Sequence, residues 1–163
     1  MLQANNGAGG AGGTLPGLAE NIAPSLGLEG DSSRTTKVGQ PVTLAAIVSN
    51  DNLPRRRSLP PTNPQRATSR ITTDSASGLR VSWFVYRGAG PVHFDPPQTK
   101  VWEDTRDGEN SSWSPGWRAS KPPDDGRWVA QAIFDEPGTY VLQCLAHDGG
   151  LSTTEAVTVT VTR

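Results

Sequence analysis

A single cysteine, Cys144, gives this 163-residue chain no internal disulfide and no ligand spacing for a structural metal site. No run approaches the ~18 apolar residues of a membrane-crossing helix. The opening MLQANNGAGGAGGTLPGL has neither the basic region nor the apolar stretch of a secretory signal. The expectation is that the chain stays inside the cell, or that a signal has been removed or lies upstream of residue 1. Excess charge is also missing: the net charge of −1 leaves no general attraction to nucleic acid. No motif identifies a reaction, and no cofactor is expected.

Glycine (18) and proline (14) together make up a fifth of the chain, while only 34% of residues are hydrophobic. That balance suits a compact core carrying long irregular excursions. Five of the first thirteen residues are glycine, so residues 1–25 read as an extended arm with too little apolar surface to fold alone. Residues 26–163 form the domain. In KVGQPVTLAAIVSND, Val42, Leu44, Ala46 and Val48 fall on one face of a strand. Residues 51–78 contain four prolines and read as a long loop. In LRVSWFVY, Leu79, Val81, Trp83 and Val85 alternate with Arg80, Ser82, Phe84 and Tyr86; both faces are partly apolar, which predicts a central strand.

A broken strand is expected in PVHFDPPQTKVW, followed by a second polar loop over residues 103–127. WVAQAIF resumes the strand pattern. PGTYVLQCLAH then points Tyr140, Leu142, Cys144 and Ala146 inward, Asp148-Gly149 predicts a tight hairpin turn, and Val157, Val159 and Val161 return opposite. At least five strands, with no helical period, predict an all-β antiparallel sandwich.

The run Pro137, Gly138, Thr139, Tyr140 leading to Asp148 and Gly149 resembles the penultimate strand and turn of PKD-like and other immunoglobulin-like domains. VGQPVTL resembles their second strand, and Trp83 sits where they place a core tryptophan. Two departures stand out: Cys144 lies four residues after Tyr140 rather than two, and no Gly-Asp-Gly turn follows Trp83. The whole string is also similar to bacterial envelope proteins of uncharacterised function. That likeness implies the bacterial periplasm or cell exterior, with the cytoplasm as the alternative if Met1 is the true start.

Candidate functional residues are few. His93 and His147 lie in different strand regions, and His147 has the opposite parity to Cys144, so those two face opposite sides of their strand. No enzyme is expected, and Cys144 reads as a small buried hydrophobe. Residues 103–110, EDTRDGEN, gather oxygen ligands that would suit calcium, but without the alternating spacing of a dedicated loop; a solvated polar turn is the simpler reading. Asn110 opens a glycosylation sequon if the source is a secretory eukaryote. Trp102, Trp113 and Trp117 fall in or beside the second loop, where exposed rings would stack on sugars or anchor a protein, and buried ones would pin the loop. Residues 55–80 hold six arginines against one acid, a local charge of +5.

Arg55, Arg56, Arg57, Arg66 and Arg70, with Trp113 and Trp117, are therefore the candidate partner-binding residues. The leading expectation is a non-catalytic protein–protein interaction module, an accessory subunit docked by its arm and loops on a larger assembly such as a membrane-embedded respiratory or photosynthetic complex. The alternatives are a carbohydrate-binding module using the loop tryptophans and an adhesive or spacer domain of a surface protein.

Overall fold

The computed structural model describes residues 20–53, 55, 78–98, 121–148 and 150–163. Among them are eight strands: β1 Ser25–Leu28, β2 Ser33–Lys37, β3 Val42–Ser49, β4 Arg80–Arg87, β5 Val92–Asp95, β6 Arg127–Phe134, β7 Gly138–His147 and β8 Ser152–Thr162. They form two four-stranded sheets with orders β1-β3-β6-β5 and β2-β8-β7-β4. All pairs are antiparallel except β2–β8, which is parallel. Named in chain order with the first strand split between the sheets, this is the ABED and A′GFC arrangement of an immunoglobulin-like sandwich. The chain is an all-β immunoglobulin-like sandwich.

Period-2 alternation explains the core. Leu44, Ala46 and Val48 of β3 and Ala130, Ala132 and Phe134 of β6 face Trp83 of β4, Tyr140, Leu142, Cys144 and Ala146 of β7, and Val157, Val159 and Val161 of β8, all buried. Each large aliphatic or aromatic side chain so removed from water contributes about 1.5–3 kcal/mol before entropy is counted. Leu142, two residues beyond Tyr140, occupies the position where a disulfide-bonded member of this class carries its second cysteine. The cross-sheet link is apolar here, and Cys144 is a free buried thiol beside Trp83 in the β4–β7 register.

Tyr140 closes one end of the core. Its ring lies 4.7 Å from that of Phe134 at 58°, and its hydroxyl donates to Glu136 O at 2.8 Å. This is the tyrosine corner of the class. The β4–β5 turn passes directly over the ring, and a Cβ on Gly88 would collide with Tyr140 Cδ1.

Two expectations need correction. Among the described residues β4 is an edge strand, not a central one, because the chain crosses to the other sheet at β5 and leaves β7 as its one strand partner. Its outer residue Phe84 is half-buried and Tyr86 exposed, so apolar character on both faces did not mean enclosure by two strands. The β7–β8 connection runs through residues 148–151, with Asp148 N–H donating to Leu151 O at 3.2 Å. The connection is thus four residues long rather than a two-residue turn, and Asp148 within it is fully buried. Ahead of β1, Pro24 is buried and its carbonyl accepts from Thr153 Oγ1 at 2.6 Å, and Ser25 pairs with Ser49.

Replacing Tyr140 with alanine is expected to lower stability by about 3–5 kcal/mol in urea unfolding, whereas Tyr140→Phe loses only the bond to Glu136 O, about 1 kcal/mol. A near-neutral Tyr140→Ala variant would contradict the β7 register.

Candidate functional site

Strand registers divide the sandwich into two unlike ends. At one end lie the start of β1 and the end of β3 (Ser25 opposite Ser49), the start of β6 (Arg127 opposite Ile47), and the start of β4 beside the end of β7 (Arg80 opposite His147). The flanks of the three long segments, residues 20–24, 50–53 with 78–79, and 121–126, all lie here. The opposite end is closed by three short connections, residues 38–41, 88–91 and 135–137, stitched by Gly39 N–H to Phe134 O, Val38 N–H to Thr162 O and Asp135 N–H to Pro91 O.

The segment-bearing end is anchored by specific contacts. Ile22 N–H donates to Asp51 Oδ2 at 2.9 Å, joining the arm's root to the root of the first long loop. Gly126 accepts from Val48 N–H at 2.9 Å. It holds a left-handed φ of +69°, and a Cβ there would come within 2.7 Å of Val48 O, so only glycine returns the second long segment into β6 without strain. Asp148 Oδ1 accepts from Gly150 N–H at 2.6 Å and Leu151 N–H at 2.7 Å, while its backbone carbonyl accepts from Gly78 N–H. One buried carboxylate residue thus ties the β7–β8 turn to the entry of β4.

Between these roots opens a cleft of about 160 Å³ bordered by Asn50, Asn52, Gly78, Pro122, Pro123 and Trp128. Trp128 also borders a smaller cleft of about 90 Å³ with Trp83, Pro96, Pro97 and Gln98. Among the described residues, several buried polar atoms lack a hydrogen-bond partner: the Asn21 amide, Asn50 Oδ1, Asp148 Oδ2 and the indole N–H groups of Trp83 and Trp128. Ile22 and Leu151 add exposed aliphatic surface at the same end, 69% and 41% accessible.

Of the sequence-derived candidates, Arg55 follows the root at Leu53 and is exposed. Arg56, Arg57, Arg66, Arg70, Trp113 and Trp117 lie outside the described residues, as do Trp102, Asn110 and the calcium candidate at 103–110. Sequence reasoning missed Asn21, Asn50, Trp128 and the anchoring role of Asp148. Only Asp148 carried a signal, an aspartate ahead of two glycines, whose carboxylate is suited to capping turn N–H groups.

His93 meets a carboxylate. Its Nε2 lies 2.8 Å from Asp135 Oδ2, because β5 and β6 pair at His93 and Ile133 and Asp135 follows two residues on. The side chains are 68% and 45% exposed. His147 Nδ1 is 3.2 Å from Arg80 Nη2. Among the described residues, no group of three or more His, Cys, Asp or Glu side chains could hold a metal ion.

No family model and no curated protein sequence matches the chain. Among solved structures, domains 4 and 5 of the S-layer protein SbsC share 8% identity over 88% of this chain and 54% of that one, with a TM-score of 0.41. The chain thus spans about half the length of that structure. The titin M3 domain shares 16% identity over 87% of this chain and 99% of its own, TM-score 0.38. The Yersinia pseudotuberculosis adhesin InvE shares 9% over 85% and 32%, TM-score 0.40. The immunoglobulin-like class rests on this chain's own strand order and tyrosine corner.

Two measurements test this end and the core beneath it. Burial, with Glu155 adding a smaller electrostatic contribution, pushes the Cys144 thiol up to about 12. The native thiol therefore stays protonated at neutral pH and should react slowly with thiol reagents. Its contribution to stability is complete below the unfolded thiol value of about 9 and is lost as pH rises from there through about 12. Rapid stoichiometric labelling of native protein would contradict the burial. Asp148→Ala strips two turn N–H groups of their acceptor and should cost about 1–3 kcal/mol in urea unfolding.

Proposed function

We propose that the chain is a non-catalytic protein-interaction module that docks on a larger assembly through the segment-bearing end. The observation that carries this reading is the convergence on one end of the flanks of residues 1–25, 51–78 and 103–127. An immunoglobulin-like sandwich is a rigid stand for loops, and binding surfaces concentrate on loops so placed. An extended segment that docks on a partner buries a large area for its size.

In this reading the protein is an accessory subunit of an assembly at a membrane surface, in the bacterial periplasm or at the cell exterior. The arginines of residues 55–80 supply charge complementary to acidic side chains of the host.

A spacer or adhesive role is the second reading. It is favoured by the chain's passage from end to end, β1 starting at the segment-bearing end and β8 finishing at the other.

Photo-crosslinking in native membranes separates the two. A photoreactive residue at Asn52 or Arg55 is expected to give a discrete covalent adduct with a partner subunit, and one at Glu136 or Thr139 of the opposite end is not. Replacing residues 54–77 with a short Gly-Ser linker should abolish co-purification in mild detergent while leaving thermal unfolding unchanged. A lone monomer with no adduct from either end would overturn the docking reading and leave the spacer.

A further inference from the structure

The first strand changes sheets, and that switch exposes a neighbour. β1 belongs to one sheet up to Leu28; β2 joins β8 in the other only from Ser33 opposite Thr158. Among the described residues, residues 152–157 of β8 therefore have β7 on one side and no strand on the other. Thr158 N–H donates to Ser32 O and Thr162 O accepts from Val38 N–H, so even-numbered residues of β8 aim their backbone groups away from β7. By strand alternation, Ser152, Thr154 and Ala156 present three N–H and three C=O groups along the open edge. All three residues are exposed.

Glu155 gives this edge its selectivity. It has the inward parity of Val157, Val159 and Val161 and stands opposite Cys144, yet it is exposed where those valines are buried. An acidic group at an inward position on an open strand discourages pairing with apolar strands. Two-fold pairing with a second copy would bring like charges together across the new ladder. A strand with a cationic side chain beside Glu155 meets neither obstacle.

We propose that residues 152–157 of β8 form a strand-docking edge that accepts an extended segment of a partner protein carrying Lys or Arg against Glu155. Main-chain bonds to Ser152, Thr154 and Ala156 supply the affinity, and the charge pair sets the register. The site lies beside the segment-bearing end but does not use it.

The probe is a short capped peptide of alternating Thr and Val with one central Lys, followed by amide NMR and hydrogen exchange on the full chain. In the free protein the amides of Ser152, Thr154 and Ala156 should exchange much faster than those of Thr158 and Thr160, and the peptide should protect and shift them. Glu155→Lys should weaken binding about tenfold, and a peptide with Glu in place of Lys should restore it. Ala156→Pro removes one outward N–H without touching the β7 ladder and should abolish binding. The variant with residues 54–77 replaced should still bind, which separates failure here from failure of the loop-docking reading. Slow exchange at all three amides in the free protein, or binding indifferent to both substitutions, would overturn the proposal.

Discussion

Everything in the sandwich is positioned by the pinning of β7 at its first residues. Tyr140 packs its ring on Phe134 of the opposite sheet and fastens its hydroxyl to Glu136 O, so the strand enters at a fixed height and rotation. β7 is the one strand of its sheet that pairs along ten residues with β8 and along most of its length with β4. Fixing its register therefore fixes both neighbours. A slip of one residue would turn Leu142, Cys144 and Ala146 outward together, exposing side chains that are now fully buried. Eight residues on from Tyr140, the same register delivers Asp148 to the far end, where its carboxylate and carbonyl hold the β8 turn and the entry to β4.

The two ends follow from where that pin sits. Around Tyr140 the connections are short, and the β4–β5 turn passes so close that Gly88 has no room for a side chain. At the other end the roots of the long segments are tied by Ile22 to Asp51, Gly126 to Val48 and Gly78 to Asp148, and the cleft among them is bordered by prolines and by Trp128. Short turns thus occupy the first end and the roots of the long segments the second. That division lets a small core carry long segments without jeopardising the ladder.

How much of this could be read from the amino acids differs by element. β3, β6, β7 and β8 were legible because each alternates apolar and polar residues with one buried face, as in Leu44, Ala46, Val48 and in Val157, Val159, Val161. β1 and β2, SLGL and SRTTK, were not: four and five residues long, they contribute no fully buried side chain and owe their existence to ladders with β3 and β8. The edge position of β4 was hidden because local pattern reports how apolar each face is, not how many strands flank it. At the candidate site, the long segments announced themselves by composition, but their convergence on one end did not. That depends on pairs such as Pro24 with Thr153, separated by 129 positions. The approach of Asp135 to His93 is likewise a product of the β5–β6 register, invisible to spacing along the chain.

The parallel pairing of β2 with β8 has a mechanical consequence. The chain enters the sandwich at one end and leaves it at the other, and β2 and β8 both run toward the exit. Tension between the two ends thus draws β2 and β8 past each other along their common axis. Their hydrogen bonds lie across that axis, so they resist as a group rather than opening one after another. Arg34 reinforces the switch between β1 and β2, its guanidinium donating to the carbonyls of Glu29, Asp31 and Thr43. Under load in this direction, the short ladder and its arginine clasp bear shear along their common axis.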